Sequence, residues 1–563
     1  MFFGKSGSSG QHLVKLVGWS MLSASALSFS ANAQTTTAPV AGGFETYQKP
    51  FAATSLWNSR PLNPVLGTYE IPKSSYYPTV QGGAWSTGLF LAKTTDGPMT
   101  VTGLNGAAGV NDPDTTLSRP VTLPRWPAST LPATGSDGHA DIYDPVTGII
   151  HSFWQLKNVN GKWQAALYAW SPAQGTGWGD PAHFYHGSRA TGVPATAGLI
   201  RAHEIKDGQP TFKHALAMSL TYNALSATTP YVYPATSADN DAAKTNTGKI
   251  PQGALVMLPA SYDTSKIANL DLRKVAETLK TYGAYVVDRN IGTPFAIYVE
   301  NGSGYNLHGA SGWDNAVANE LDRIRANLRQ VVSAPSWVDG NGKAVSGTVP
   351  ASINALSMRG PWTRSWGTTT PVFDSWAQAL VFPASTTRTI VSNGNSSGLS
   401  KVTWGKPVVG STQKFTVIAT GGARLKIQVY SGSKVAFTSG DLADGESARF
   451  VWPEGAWIIL SAMGGVGGPS TVRADLVAVP DATTAAAPAA PVKTATPAAT
   501  TAPVATAAPV ATAAPATTTA PVAATAPATT APTTATTASK AATTTKATTA
   551  TPVSTATSSS VKK

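Results

Sequence analysis

Ile149-Ile150-His151-Ser152-Phe153-Trp154-Gln155-Leu156 decides how this chain reads. Its branched and aromatic residues give a strand pattern, followed at once by the turn signal Asn158-Val159-Asn160-Gly161. Trp163-Gln164-Ala165-Ala166-Leu167-Tyr168-Ala169-Trp170 supplies a partner, so a hairpin is expected. Outward from it, strands are expected at 214–221, 254–258, 284–288 and 294–299. Between Pro61 and Pro132 frequent prolines and glycines predict turns and brief strands. The fold expected is mainly β, a β-sandwich or jelly roll. Two amphipathic helices interrupt it. One runs from Asp271 to Tyr282 with Gly283 as its cap. The other runs from Asp314 to Val332 with Val317, Leu321, Ile324, Leu328 and Val331 on one face. Both stripes are expected to be core contacts.

The hairpin lies inside a block, 135–216, holding six of the chain's eight histidines and the tryptophans Trp154, Trp163, Trp170 and Trp178. Titratable groups, aromatic plates and turn glycines are the material of a sugar-binding cleft. Asp137-Gly138-His139-Ala140-Asp141 is its sharpest signal: strand alternation puts His139 and Asp141 on one face as an acid/base pair. The structural alternative is a turn-capping Asp137 beside a hydrogen-bonded His139. In Arg201-Ala202-His203-Glu204, Glu204 is the best second carboxylate, because glycosidases need two. Its structural alternative is a salt bridge to Arg201 or Lys206. His214 opens an apolar strand, where a histidine is more often a satisfied core residue than a catalyst. With His139, Tyr222, Arg189 and Arg201 it would nevertheless supply a polysaccharide lyase. Trp154 and Trp57 are candidate sugar-stacking residues.

Metal binding is weakly signalled. His183-Phe184-Tyr185-His186 lacks a third nearby ligand for zinc, and Asp239-Asn240-Asp241 lacks the rest of a calcium loop. No cofactor is therefore expected. No Gly-x-Ser-x-Gly elbow and no phosphate-cradling loop occurs.

The flanks set the organisation. Residues 1–33 have a basic start, a short apolar run and Ala31-Asn32-Ala33, which predicts a signal peptide cleaved near Ala33 rather than a membrane span. The protein is thus expected outside the cytoplasm: secreted, periplasmic or on the cell surface. A linker over 34–43 leads to a main β-rich, glycan-active domain over 44–345. A small β-sandwich over 370–480 follows as a candidate carbohydrate-binding module, using Trp404, Trp452 or Trp457. The Ala/Thr/Pro-rich residues 481–563 predict a disordered tail. No cysteine occurs among the 563 residues, which excludes disulfides and thiolate chemistry. The formal charge is +12; without the leader's two lysines, the tail's five and Asp481, 34 basic and 28 acidic residues leave about +6. With no basic run, nucleic acid is not an expected partner.

Ser55-Leu56-Trp57-Asn58, Asp137-Gly138-His139, Ala197-Gly198-Leu199-Ile200-Arg201, His214-Ala215-Leu216 and Tyr282-Gly283-Ala284-Tyr285-Val286-Val287-Asp288 resemble a poorly characterised family of secreted bacterial proteins. The resemblance covers about 50–340 and implies one folded module compatible with polysaccharide degradation; no catalytic residue carries over. The function expected is a glycoside hydrolase acting on an extracellular polysaccharide through Asp141 and Glu204. The alternatives are a lyase on an acidic glycan, using His139, His214, Tyr222 and the arginines, and a non-catalytic glycan or cell-wall binding protein.

Overall fold

The computed structural model describes residues 43–480 apart from 116–117, 311, 364–370 and 394–397. The predicted signal peptide and tail lie outside the described residues. Within them the chain is mainly β, with 29 strands and three α-helices.

Four sheets are built before residue 346 and two after it. A seven-stranded mixed sheet runs in the order Val65–Leu66, Arg329–Ser333, Leu255–Met257, Ala284–Asn290, Leu216–Thr221, Phe295–Tyr298, Thr79–Gln81. Its strand Leu216–Thr221 is buried at all six positions, as a strand covered on both faces must be. Leu216, Met218 and Leu220 face one way, onto Leu272, Val275 and Leu279 of the helix Leu270–Thr281 and Val317, Leu321 and Ile324 of the helix Asn315–Asn327. Ala215, Ala217, Tyr285 and Val287 belong to a second core, with Trp57 and Trp178.

The helices keep their predicted faces but not all of their predicted ends. Asn269 caps the first by accepting from Leu272 N. Gly283 follows it at φ +74, where an added Cβ would meet Met257 Cγ at 2.6 Å and Val256 O at 2.7 Å. Asp314 caps the second by accepting from Ala316 N and Val317 N. That helix stops at Asn327, short of Val332, because Arg329–Ser333 is drawn into the sheet against Leu255–Met257 and Val65–Leu66. Val331 is therefore a strand residue, not the last of a helical stripe.

A six-stranded sheet holds the hairpin region, in the order Leu89–Leu91, Ala140–Asp144, Ile149–Trp154, Leu167–Pro172, Val110–Asn111, Ser118–Arg119. The expected single hairpin is in fact two. Ile149–Trp154 pairs with Leu167–Pro172, whereas Asn160-Gly161 turns a shorter hairpin between Lys157–Val159 and Lys162–Ala165. Gln155, at φ +54 and with its N–H tied to Asp137 O, is where the chain leaves one pairing for the other.

Beyond residue 350, two antiparallel sheets of five and four strands enclose one core. Strand Thr412–Thr420 alternates buried and partly exposed residues, the signature of a sandwich strand. This core also takes in Ala355, Leu356, Met358 and Trp362, upstream of the boundary expected at 370. Trp376 stacks on Trp170 at 5.0 Å and 13°, joining the sandwich to the six-stranded sheet. Trp404 donates to Ala235 O and is thus a docking residue, and Trp452 is buried in the sandwich. Trp457, stacked on Tyr430 at 4.1 Å, stays on a sheet face.

Candidate functional site

The predicted catalytic residues fall into two separate clusters. Asp141, on strand Ala140–Asp144, is completely buried. Its Oδ1 accepts from Ser152 Oγ at 2.5 Å, and its Oδ2 accepts from Thr196 N at 2.8 Å and Thr196 Oγ1 at 2.9 Å. Burial raises its pKa, and those hydrogen bonds oppose the rise. His139, also buried, bonds through Nδ1 to Ser188 Oγ at 2.9 Å, and burial lowers it well below the usual histidine range. Alternation brought the two near one another, but Ser152 and Ser188, 3.0 Å apart, stand between them. The pair is sealed inside the fold.

Glu204 belongs to the other cluster. It ends the short 3-10 turn Ala202–Glu204, takes Arg201 N at 3.0 Å and meets His214 Nε2 at 3.2 Å. The expected bridge to Arg201 or Lys206 does not form: Arg201 Nε pairs with Glu300 at 3.1 Å and Lys206 with Asp271 at 2.9 Å. Burial would raise Glu204, but the His214 charge and hydrogen bond override it and hold the carboxyl down at about 2. His214 is in turn held above its ordinary value: burial opposes this, and Glu204 and the bond to Ala215 O at 2.8 Å outweigh it. The cluster borders a small cavity of about 30 Å³ shared with Lys49 and Thr196. The structure does not bring Asp141 and Glu204 together across an open cleft.

The other candidates divide similarly. Trp57 is a core residue, 1% exposed and stacked on Trp178 at 4.7 Å and 2°. Tyr222 is exposed on the surface. His183 pairs with Asp114 at 3.0 Å, and Asp241 with Arg289 at 2.8 Å. Among the described residues no group of three or more histidines and carboxylates is placed to hold a metal ion.

Trp154 and Arg189 lead to a larger feature. Trp154 Nε1 donates to Asp137 Oδ1 at 3.2 Å, and Asp137 lines a cavity of about 360 Å³ with Trp85, Ser219, Asp288, Arg289 and Tyr298. Arg189, 1% exposed, reaches Asp288 Oδ2 at 3.2 Å, donates to Trp85 O at 3.3 Å and lies 3.9 Å over the Tyr298 ring. The backbone explains the convergence. Strands Leu216–Thr221 and Ala284–Asn290 run parallel, and the register slips so that Met218 faces Val286 but Ser219 faces Asp288. Val287 is the extra residue of a bulge, which re-aims Asp288 toward the cavity near the ends of the two strands. Burial pushes the Asp288 carboxyl up to about 7, with Asp239 and Asp137 adding to the rise and Arg189 opposing it. Its side chain keeps 16% exposure, so the acid is reachable from the cavity.

The sequence assigns Asp288 no functional role: it ends a predicted strand and one of the resembling stretches. The available signal was a lone carboxylate closing the apolar run Ala284-Tyr285-Val286-Val287.

No family model and no curated protein matches the sequence. Among solved structures, the chain is similar to the Glycosylation Associate Protein (Gap123) complex of Streptococcus agalactiae. The identity is 12% and the TM-score 0.14, over 18% of this chain and 37% of that one. It is also similar to accessory secretory protein 1,2 and 3 of Streptococcus pneumoniae, at 10% identity and a TM-score of 0.12, over 18% of this chain and 86% of that one.

Proposed function

We propose that this protein hydrolyses glycosidic bonds of an extracellular glycan, with Asp288 as the proton donor and Asp137 as the second carboxylate. The observation that carries this reading is Asp288: a reachable carboxylic acid held half-protonated near neutrality, in a cavity that another carboxylate also lines. Asp288 gives its proton to the bridging oxygen as the bond to the anomeric carbon breaks. Water then supplies hydroxyl to that carbon and its proton passes to Asp137, which Trp154 Nε1 holds in position. Trp85, 52% exposed at the cavity, offers an indole face for a sugar ring.

The lyase alternative finds less support. A uronate needs a free, reachable cation, whereas Arg189 is buried and bonded to Trp85 O and Asp288, Arg201 is paired with Glu300 and Arg289 with Asp241. His139 is sealed and His214 is bound to Glu204. No helix among the described residues is long and apolar enough to cross a membrane.

The test follows reducing ends and ultraviolet absorbance together, on neutral and acidic polysaccharides. New reducing ends that Asp288→Asn abolishes support the proposal. Unsaturated product would move the reaction to elimination, and binding without product would leave a glycan-binding protein.

A further inference from the structure

We infer that the glycan lies across the molecule as a neutral polymer bound through its interior. This rests on the reading of the Asp288 cavity as a glycan-cleaving site. That cavity does not end at its own rim. Thr79, Gln81 and Gly82, at the edge strand Thr79–Gln81, line it and also line a second cavity of about 520 Å³. Sharing those three residues, the two cavities adjoin at the edge of the seven-stranded sheet and are taken together as one groove. Each cavity alone has the volume of a small-molecule site, so together they exceed what one or two sugar rings require.

The second cavity has the chemistry of a sugar subsite without catalytic groups. Trp313 lies in its wall, 56% exposed, with one face stacked on His308 at 4.6 Å and 13°. Its Nε1 donates to Asn315 Oδ1 at 2.8 Å, which fixes the ring, and Tyr77, itself 43% exposed, meets it edge-on at 5.7 Å. A rigid, half-exposed indole costs little entropy to use as a platform. Around it Asn301 accepts from Gly83 N and Ser303 from Tyr305 N, which leaves the Asn301 amide N–H and the Ser303 hydroxyl to bond sugar hydroxyls. Asn306 and Tyr305 brace the wall through Gly309 O, His308 N and Asp271 O. Glu300 is the only carboxylate, lysine or arginine among the described residues that line it, and it is held by Arg201 and the Ala202 N–H. With no unpaired cation, and with the carboxylates Asp137 and Asp288 at its catalytic end, the groove fits an uncharged chain and offers nothing to neutralise a polyuronate. Trp85 at one cavity and Trp313 at the other place aromatic platforms on both sides of the shared strand. A chain spanning both is cut away from its ends.

The test measures binding of full-length protein to the hexaose and the biose of β-1,4-glucan, β-1,4-mannan, β-1,4-xylan and N-acetylglucosamine, with hexagalacturonate beside them. At least one neutral hexaose is expected to bind about tenfold or more tightly than its biose. Trp313→Ala should bring that hexaose to the biose value. Tyr77→Ala, a milder change on the same platform, should weaken hexaose binding in the same direction. Hexagalacturonate should bind more weakly than that neutral hexaose. Equal affinity for hexaose and biose, an unchanged hexaose affinity in a folded Trp313→Ala, or preference for hexagalacturonate would each overturn the inference, as would no binding at all. Cleavage without length dependence sinks the groove alone, and length-dependent binding without cleavage sinks the hydrolase reading alone.

Discussion

Asp288 owes its chemistry to neighbours that arrive from distant parts of the chain: Arg189, Asp239 and Asp137, all closing on a carboxylate that burial has already made a weaker acid. A proton donor must be protonated to act, so activity should hold below pH about 7 and fall roughly tenfold per unit above it. Asp288→Asn removes the proton, and kcat should drop by about 10²–10⁴ with the fold retained. A pH–rate profile of wild type and variant checks both. Glu204 and His214 make a different kind of residue-scale statement, one of stability. Glu204 is depressed from 4.5, so its contribution is full above that value and lost as pH falls toward about 2. His214 is raised from 6.5, so its contribution is full below that value and lost as pH rises through its folded pKa. The pair therefore stabilises most between about pH 4.5 and 6.5. Thermal denaturation of Glu204→Gln should show a deficit of about 3 kcal/mol near pH 5.5, shrinking at pH 3 and pH 9.

At the scale of elements, the helix Asn315–Asn327 hangs on its cap and its apolar face. Asp314→Ala should cost about 1 kcal/mol, and Leu321→Ala, which empties a site between helix and sheet, about 3 kcal/mol. Denaturant titration separates the two. These elements were legible because their causes are local: a cap, a period of 3.6, a glycine after the last turn. The helix's true end was not, since Val331 fits the helical period and only the neighbouring strands at 65–66 and 255–257 draw it into a sheet. The site was legible to the same extent. Alternation correctly gathered His139 and Asp141 in one region, but nothing along the chain says that Ser152, Ser188 and Thr196 would enclose them. Nor can a linear pattern show the bulge at Val287 that turns Asp288 toward a cavity.

Across the whole molecule, the two core-bearing parts are not beads on a string. Trp376 lies against Trp170, His151 and Tyr168, Arg359 donates to Thr115 O, and Trp404 donates to Ala235 O. Calorimetry should therefore record one cooperative transition for the folded region. Trp376→Ala, which removes the central stack at about 1–2 kcal/mol, should split it or broaden it.

The central strand Leu216–Thr221 has a consequence in time rather than in energy. Every residue in it is buried, and it is hydrogen-bonded on one side to Ala284–Asn290 and on the other to Phe295–Tyr298. Its amides can meet deuterium only when the whole sheet opens, so they should be among the last in the chain to exchange. Ser219, on the floor of the Asp288 cavity, sits in that slow strand. Deuterium uptake should accordingly be quick at the glycine-rich walls over 300–310 and slow beneath them: a groove with a fixed bed and yielding banks.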